Sequence, residues 1–186
     1  FDEDGRVLFC SSFSQTLAPG LRVGWIAPGR YLEQVVHMKY LGTGSTAQLP
    51  QLALAEFLKD GHYEPHLRRM RAQYLRSRDL MVDWVSRYFP AGTRVSRPQG
   101  SFMLWVEMPQ GFDSQKLNRA LLPHKIQIAP GSIFSAAGKY RNCIRLNYAE
   151  PPSDVIEAAV KQIGATIAEL IEEADLQHTQ DLGQWR

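Results

Sequence analysis

The apolar positions change period several times along the chain, and each change marks an element. Residues 7–12 and 22–27 are short runs of β-branched, aliphatic and aromatic side chains bounded by Pro and Gly. They predict two strands joined by the loop SQTLAPGL. Over 31–41 the spacing becomes helical, with Leu32, Val35, Val36 and Tyr40 on one face. The polar run GTGST breaks that pattern, and a second helix is predicted over 48–59, stopped by Gly61. The longest periodic segment is 63–88, where Leu67, Tyr74, Met81 and Tyr88 recur every seven residues with Met70 and Trp84 between them. It predicts a long helix with one buried stripe, and Pro65 is tolerated because it falls in the first turn. After Phe89-Pro90-Ala91-Gly92 the pattern shortens. Two strands are predicted within 94–108 about Pro98-Gln99-Gly100, a short helix over 113–124, and strands at 126–129 and 142–148. A last amphipathic helix, capped by Ser153, puts Ile156, Val160, Ile163, Ile167 and Leu170 on one face. The result is a mixed α/β chain. Residues 1–89 form one portion ending in the long helix, 90–175 form a small sheet with helices packed on it, and 176–186 form a flexible tail.

Composition narrows the function classes. The 186 residues suit one domain or two small ones, and 44% hydrophobic with 22% charged residues is ordinary for a soluble globular protein. A net charge of +2 gives no bulk electrostatic reason to expect nucleic acid or a membrane surface. No apolar stretch approaches membrane-spanning length and no secretory signal is visible, so a cytoplasmic location is expected. Cys10 and Cys143 sit in apolar runs and are expected to be buried free thiols in a reducing compartment. His37, His62, His66, His124 and His178 show no metal-ligand spacing, so no metal site is expected. Met38, Met70, Met81, Met103 and Met108 fall in periodic apolar positions and read as core filler. Arg68, Arg69, Arg71, Arg76 and Arg78 read as the wet face of the long helix rather than a DNA contact. The chain opens without Met on the turn-like Phe1-Asp2-Glu3-Asp4-Gly5-Arg6 and is expected to be part of a longer protein.

One loop carries distinctive chemistry. In SSFSQTLAPGLRVGW, Ser12, Ser14 and Thr16 offer hydroxyls, and Arg22 offers a planar fork of donors with a permanent charge. That set suits a phosphate dianion, although such loops often satisfy only their own backbone. Gly20 and Gly24 serve either close approach of a ligand or a tight turn and strand crossing. Arg145, in the run Cys143-Ile144-Arg145-Leu146-Asn147-Tyr148, is either a solvated strand residue or a bidentate carboxylate ligand.

The same loop, SFSQTLAPGLRVGW, resembles the pyridoxal-phosphate segment of fold-type I aminotransferases, whose pattern is S-x-S-K-x-x-x-P-G-x-R-x-G. The resemblance continues in order through PQGSFMLWVEMP, IAPGSIFSA and NCIRLNYAEP, which are similar to the family's P-x-G-G-x-F-x-W, P-G-x-x-F and R-L-x-F/Y segments. Within that family, the SFS…APGLR form together with GHYEPHLRRMRAQYLRSRD resembles the MocR branch of GntR-type regulators, which carry an aminotransferase-like domain behind a winged helix-turn-helix. The resemblance implies the C-terminal portion of the PLP-dependent transferase fold, an incomplete large domain followed by a small α/β domain. It implies that Ser12, Ser14 and Arg22 hold the phosphate of pyridoxal phosphate and that Arg145 holds a carboxylate. It also implies that Phe102 and Trp105 lie in a region lining the site, where packing alone explains them equally well. The Schiff-base lysine position is occupied by Gln15. An amide nitrogen is delocalised into its carbonyl and does not attack an aldehyde, and Gln has no titratable group to move a proton. No catalytic residue is therefore assigned. Gln15 is either a natural replacement or an altered lysine.

Two function classes follow from the resemblance. The first is the pyridoxal-phosphate- and effector-binding domain of a MocR-type regulator, taking an amino acid or a similar effector and contacting DNA only through an absent N-terminal domain. The second is a fragment of an amino acid aminotransferase, moving an amino group between an amino acid and a 2-oxo acid. A degenerate scaffold that only dimerises is a third. The family's usual state is a homodimer. The family's ring-stacking, pyridine-nitrogen and glycine-loop contacts belong upstream of this segment, so cofactor binding by these residues alone is expected to be weak or absent.

Overall fold

The computed structural model describes residues 2–183, with side chains through residue 176. The chain divides into two compact units, Phe1–Arg69 and Met70–Arg186.

In the first unit, Phe9–Ser12 (β1) and Gly24–Ala27 (β2) pair antiparallel, with Phe9 opposite Ala27 and Ser12 opposite Gly24. A Cβ on residue 24 would stand 2.8 Å from the Ser11 carbonyl oxygen, so this strand crossing accounts for Gly24. Nothing lies within 4 Å of a Cβ built on Gly20. Two helices follow, Leu32–Thr43 (α1) and Gln48–Lys59 (α2), and a third, Tyr63–Tyr88 (α3), begins in this unit. Among the described residues the unit buries only two apolar side chains, Val23 and Leu54. The face of α1 expected to be buried is open: Leu32 is 57% exposed, Val36 58% and Tyr40 75%. An apolar stripe is buried only when another apolar surface lies opposite, and among the described residues of this unit none does. For the same reason Met38 is exposed rather than core filler. Cys10 is also exposed, contrary to expectation, because both strands of the two-stranded sheet are uncovered.

The second unit has a core. It begins inside α3, ahead of the change of pattern at 89–92, because Met81, Trp84 and Val85 belong to the same apolar cluster as the sheet. After α3 come Arg94–Val95 (β3), Met103–Glu107 (β4), Ser114–Leu121 (α4), Ala129–Pro130 (β5), Cys143–Asn147 (β6) and Asp154–Gly183 (α5). The strands form one antiparallel sheet in the order β3-β4-β6-β5. Alternation sends Leu104, Val106, Ile144 and Leu146 inward to meet Leu117 and Leu121 of α4 and Val160, Ile163 and Ile167 of α5. Each such side chain contributes about 2 kcal/mol on burial. The strand expected over 126–129 shrinks to two residues, because the Ile128 N–H donates to Asn118 Oδ1 (3.2 Å) instead of joining the ladder.

Local chemistry fixes the helix ends. Asp113 accepts from the Gln115 N–H (2.9 Å) at the start of α4, and Ser153 accepts from the Ile156 N–H (3.4 Å) at the start of α5. A Cβ on residue 164 would fall 2.2 Å from the Tyr88 carbonyl oxygen, so Gly164 lets α5 touch the end of α3. Arg78 departs from the wet-face pattern: it is half-buried, donates to the Pro98 carbonyl (3.1 Å) and pairs with Asp79 (2.7 Å), which ties the 98–100 turn to α3. Arg68, Arg69, Arg71 and Arg76 are exposed. The backbone of α5 is helical through Gly183, so the helix runs into the stretch 176–186 expected as a tail. Residues 184–186 and the side chain of His178 lie outside the described residues. No helix among the described residues is long and apolar enough to cross a membrane.

Candidate functional site

The candidate residues fall in both units. In the first, β1 ends at Ser12 and β2 begins at Gly24, and the chain between them folds back on itself. The Phe13 N–H donates to the Val23 carbonyl (3.0 Å), and the Leu17 and Ala18 N–H groups both donate to the Phe13 carbonyl (2.8 and 3.1 Å). Those bonds close a tight turn with Gln15 at its exposed apex. A short 3-10 helix at Pro19–Leu21 then delivers Arg22 in the left-handed region (φ 53°). A non-Gly residue held there costs about 1 kcal/mol or more, and such strain concentrates at functional positions. The result is a donor cluster. The Ser14 N–H donates to Ser12 Oγ (3.1 Å), and the Arg22 guanidinium reaches Ser14 Oγ (3.4 Å). Ser12, Ser14 and Arg22 are thus gathered at one place, with two hydroxyls and one fixed positive charge accessible to solvent. The side chain of Gln15 has no hydrogen-bond partner among the described residues.

Thr16 does not join this cluster. Its hydroxyl accepts from Tyr63 Oη (3.0 Å), and its carbonyl accepts from His66 Nε2 (2.9 Å). Because a carbonyl only accepts, His66 carries its proton on Nε2. Tyr63 and His66 come from the first turns of α3, and the sequence pattern singles out neither of them for this loop.

In the second unit Arg145 lies on the sheet face opposite the core, directly across from Trp105 on β4. Its guanidinium sits over the Phe134 ring at 4.6 Å. Trp105 meets the rings of Phe134 and Tyr140 edge-on, at 5.7 and 5.6 Å. Arg145 has no acidic partner among the described residues. A half-buried cation stacked on an aromatic face, with its fork unpaired, suits a carboxylate. It lines a groove of about 650 Å³ together with Asn118, Asn147 and the apolar Ile126, Ile128 and Ile133. The PGSIF motif supplies the signal for Phe134, whose ring is the platform under Arg145. Of the two aromatics expected near the site, Trp105 lies beside Arg145, whereas Phe102 packs against Tyr74 (5.6 Å) at the rim of the core. Cys143 shares the outer face with Arg145, and burial, then the Glu107 carboxylate opposite, pushes its thiol up. No group of three or more His, Cys, Asp or Glu among the described residues is placed to hold a metal ion.

The family model for aminotransferase class I and II matches residues 1–163. The HTH-type transcriptional regulator YjiR of Escherichia coli (strain K12) is 49% identical over 92% of this chain and 37% of its own length. The HTH-type transcriptional regulator NorG of Staphylococcus aureus (strain USA300) is 31% identical over 88% of this chain and 37% of its own. Among solved structures, the α-aminoadipate aminotransferase LysN of Thermus thermophilus, complexed with N-(5'-phosphopyridoxyl)-L-leucine, superimposes with a TM-score of 0.82 at 32% identity, covering 89% of this chain and 43% of that one. The chain spans about two fifths of the length of the relatives it matches.

Proposed function

This chain belongs to the class I and II aminotransferase family, and we propose that it is the cofactor- and effector-binding part of a MocR-type regulator of the GntR class rather than a transaminating enzyme. The observation that carries the proposal is an amide, Gln15, at the apex of a turn whose flanks hold phosphate-type donors. The kinship with helix-turn-helix regulators supports the regulatory side.

The donor set fits one half of pyridoxal phosphate. Two hydroxyls and the Arg22 fork, gathered beside loop amides, have the chemistry of a phosphate cradle, and Ser12, Ser14 and Arg22 would hold that group. The other half does not fit covalent attachment, because no amine stands at position 15. Pyridoxal phosphate supplies an aldehyde and an electron-withdrawing ring when bound. Gln15 would donate or accept a hydrogen bond beside it and would move no proton. Arg145 would take the carboxylate of an amino acid or a similar effector in a bidentate grip, with its guanidinium plane held by Phe134. Binding of either ligand then biases the other and, through the whole regulator, its DNA affinity. DNA contact is assigned to a segment outside these residues. A homodimer in the cytoplasm is the assembly and location this role requires.

The test is amino-group exchange between an amino acid and a 2-oxo acid with pyridoxal phosphate added. The expected rate does not exceed that of the free cofactor. Enzyme-like turnover by this polypeptide contradicts the proposal.

A further inference from the structure

We infer that Tyr63 and His66 are positioning residues for the turn that carries residue 15, an inference that rests on the reading of that turn as a cofactor cradle. Thr16 follows Gln15 directly, and it is held on both sides. Tyr63 Oη grips its hydroxyl at 3.0 Å, and His66 Nε2 grips its carbonyl at 2.9 Å. Both grips come from residues three apart on α3, therefore from one face of one helix. The partners lie 47 and 50 residues away in sequence, so the local chain has no means of making these bonds itself.

The surroundings reinforce the grip. The Phe13 ring meets the Tyr63 ring edge-on at 5.9 Å, and Phe57 of α2 meets the His66 ring edge-on at 6.4 Å. Phe13 is also the residue whose carbonyl takes the Leu17 and Ala18 N–H groups. The turn is thus pinned at Phe13, where it opens, and at Thr16, one residue past its apex. With Thr16 turned toward α3, Ser12 and Ser14 remain on the side that Arg22 reaches. The α3 contacts hold the Thr16 hydroxyl, while Ser14 Oγ meets Arg22 (3.4 Å) and Ser12 Oγ, which accepts from the Ser14 N–H, donates to the Val23 carbonyl (3.5 Å). Preorganisation of this kind removes the ordering cost that a free loop would add to ligand binding.

The experiment is amide hydrogen exchange of residues 14–18, read by mass spectrometry on the intact chain, for the wild type, Tyr63→Phe, His66→Ala and His66→Gln. A second reading is pyridoxal phosphate titration of the same proteins. Tyr63→Phe and His66→Ala are each expected to speed exchange at 14–18 by about fivefold to tenfold, the size of one lost hydrogen bond. Exchange in α5 should be unchanged. His66→Gln, which keeps a donor, should restore most of the protection. Unchanged exchange at 14–18 in both Tyr63→Phe and His66→Ala overturns the inference. So does an equal acceleration across both units, which marks general destabilisation. If exchange responds as expected but pyridoxal phosphate, however weakly it binds, binds the variants as well as it binds the wild type, the positioning stands and the cofactor reading of the turn falls.

Discussion

The two units share a chain and a hydrophobic composition, yet they differ in what their apolar side chains meet. Residues 1–69 bury two apolar side chains among the described residues, whereas sixteen buried side chains form one cluster in the second unit. The second unit is a sheet with helices closed over its inner face. The first is a hairpin and helices whose apolar sides face solvent. Amphipathic periodicity therefore leads to two different outcomes: a core where an apolar partner exists, and an exposed stripe where none does. The turn that gathers Ser12, Ser14 and Arg22 sits in the part whose structure is held by local hydrogen bonds more than by burial.

The largest effect expected from this contrast is on stability. Ile144→Ala, at a fully buried position in the second unit, should cost about 3 kcal/mol in chemical denaturation followed by circular dichroism. Leu52→Ala in α2, at a side chain 61% exposed, should change stability by no more than about 0.5 kcal/mol. Equal losses would show that the first unit has a core of its own.

Two glycines give the next effect, with opposite signs. Gly164→Ala places a methyl group against the Tyr88 carbonyl and should destabilise by about 2 kcal/mol. Gly42→Ala, inside α1 with nothing within 4 Å of its new Cβ, should stabilise by about 0.5 kcal/mol through helix propensity. Thermal melts of the pair would measure both.

Thiol chemistry separates the units more gently. Cys10 is exposed, and Cys143 is buried with its thiol pushed up by burial and by Glu107. A raised pKa means less thiolate at neutral pH, so a maleimide should label Cys10 quickly and Cys143 only slowly until the protein is unfolded. Equal labelling rates would remove the contrast. The smallest effect is expected at the exposed pair Arg87–Asp83, where Asp83→Asn should leave the denaturation midpoint essentially unchanged.

Pattern in the sequence locates the elements well where periodicity is long. The helices over 48–59 and 63–88 have the ends that Gly61 and Phe89-Pro90 announce. Burial of α1 and Cys10 is not legible in the same way, because periodicity says which side chains share a face and nothing about what covers it. The strand expected over 126–129 is overlong because Asn118, on a separate helix, takes the amide that the ladder needs. In the candidate site, the grouping of Ser12, Ser14 and Arg22 is visible as a local motif, since about ten residues hold all three. The orientation of Thr16 is not, because it depends on Tyr63 and His66. Nor is the platform under Arg145, because Phe134 reaches it only through the fold of the second unit.

We hold that the turn around residue 15 carries the phosphate-binding donors of a cradle and has an amide where the attaching amine would stand. The most direct test is borohydride trapping of pyridoxal phosphate on the Gln15→Lys protein, with every lysine peptide quantified by mass spectrometry. The account predicts that the amine introduced at position 15 is trapped well ahead of the exposed Lys39, Lys59 and Lys116. Trapping at position 15 no faster than at those three surface lysines would contradict it.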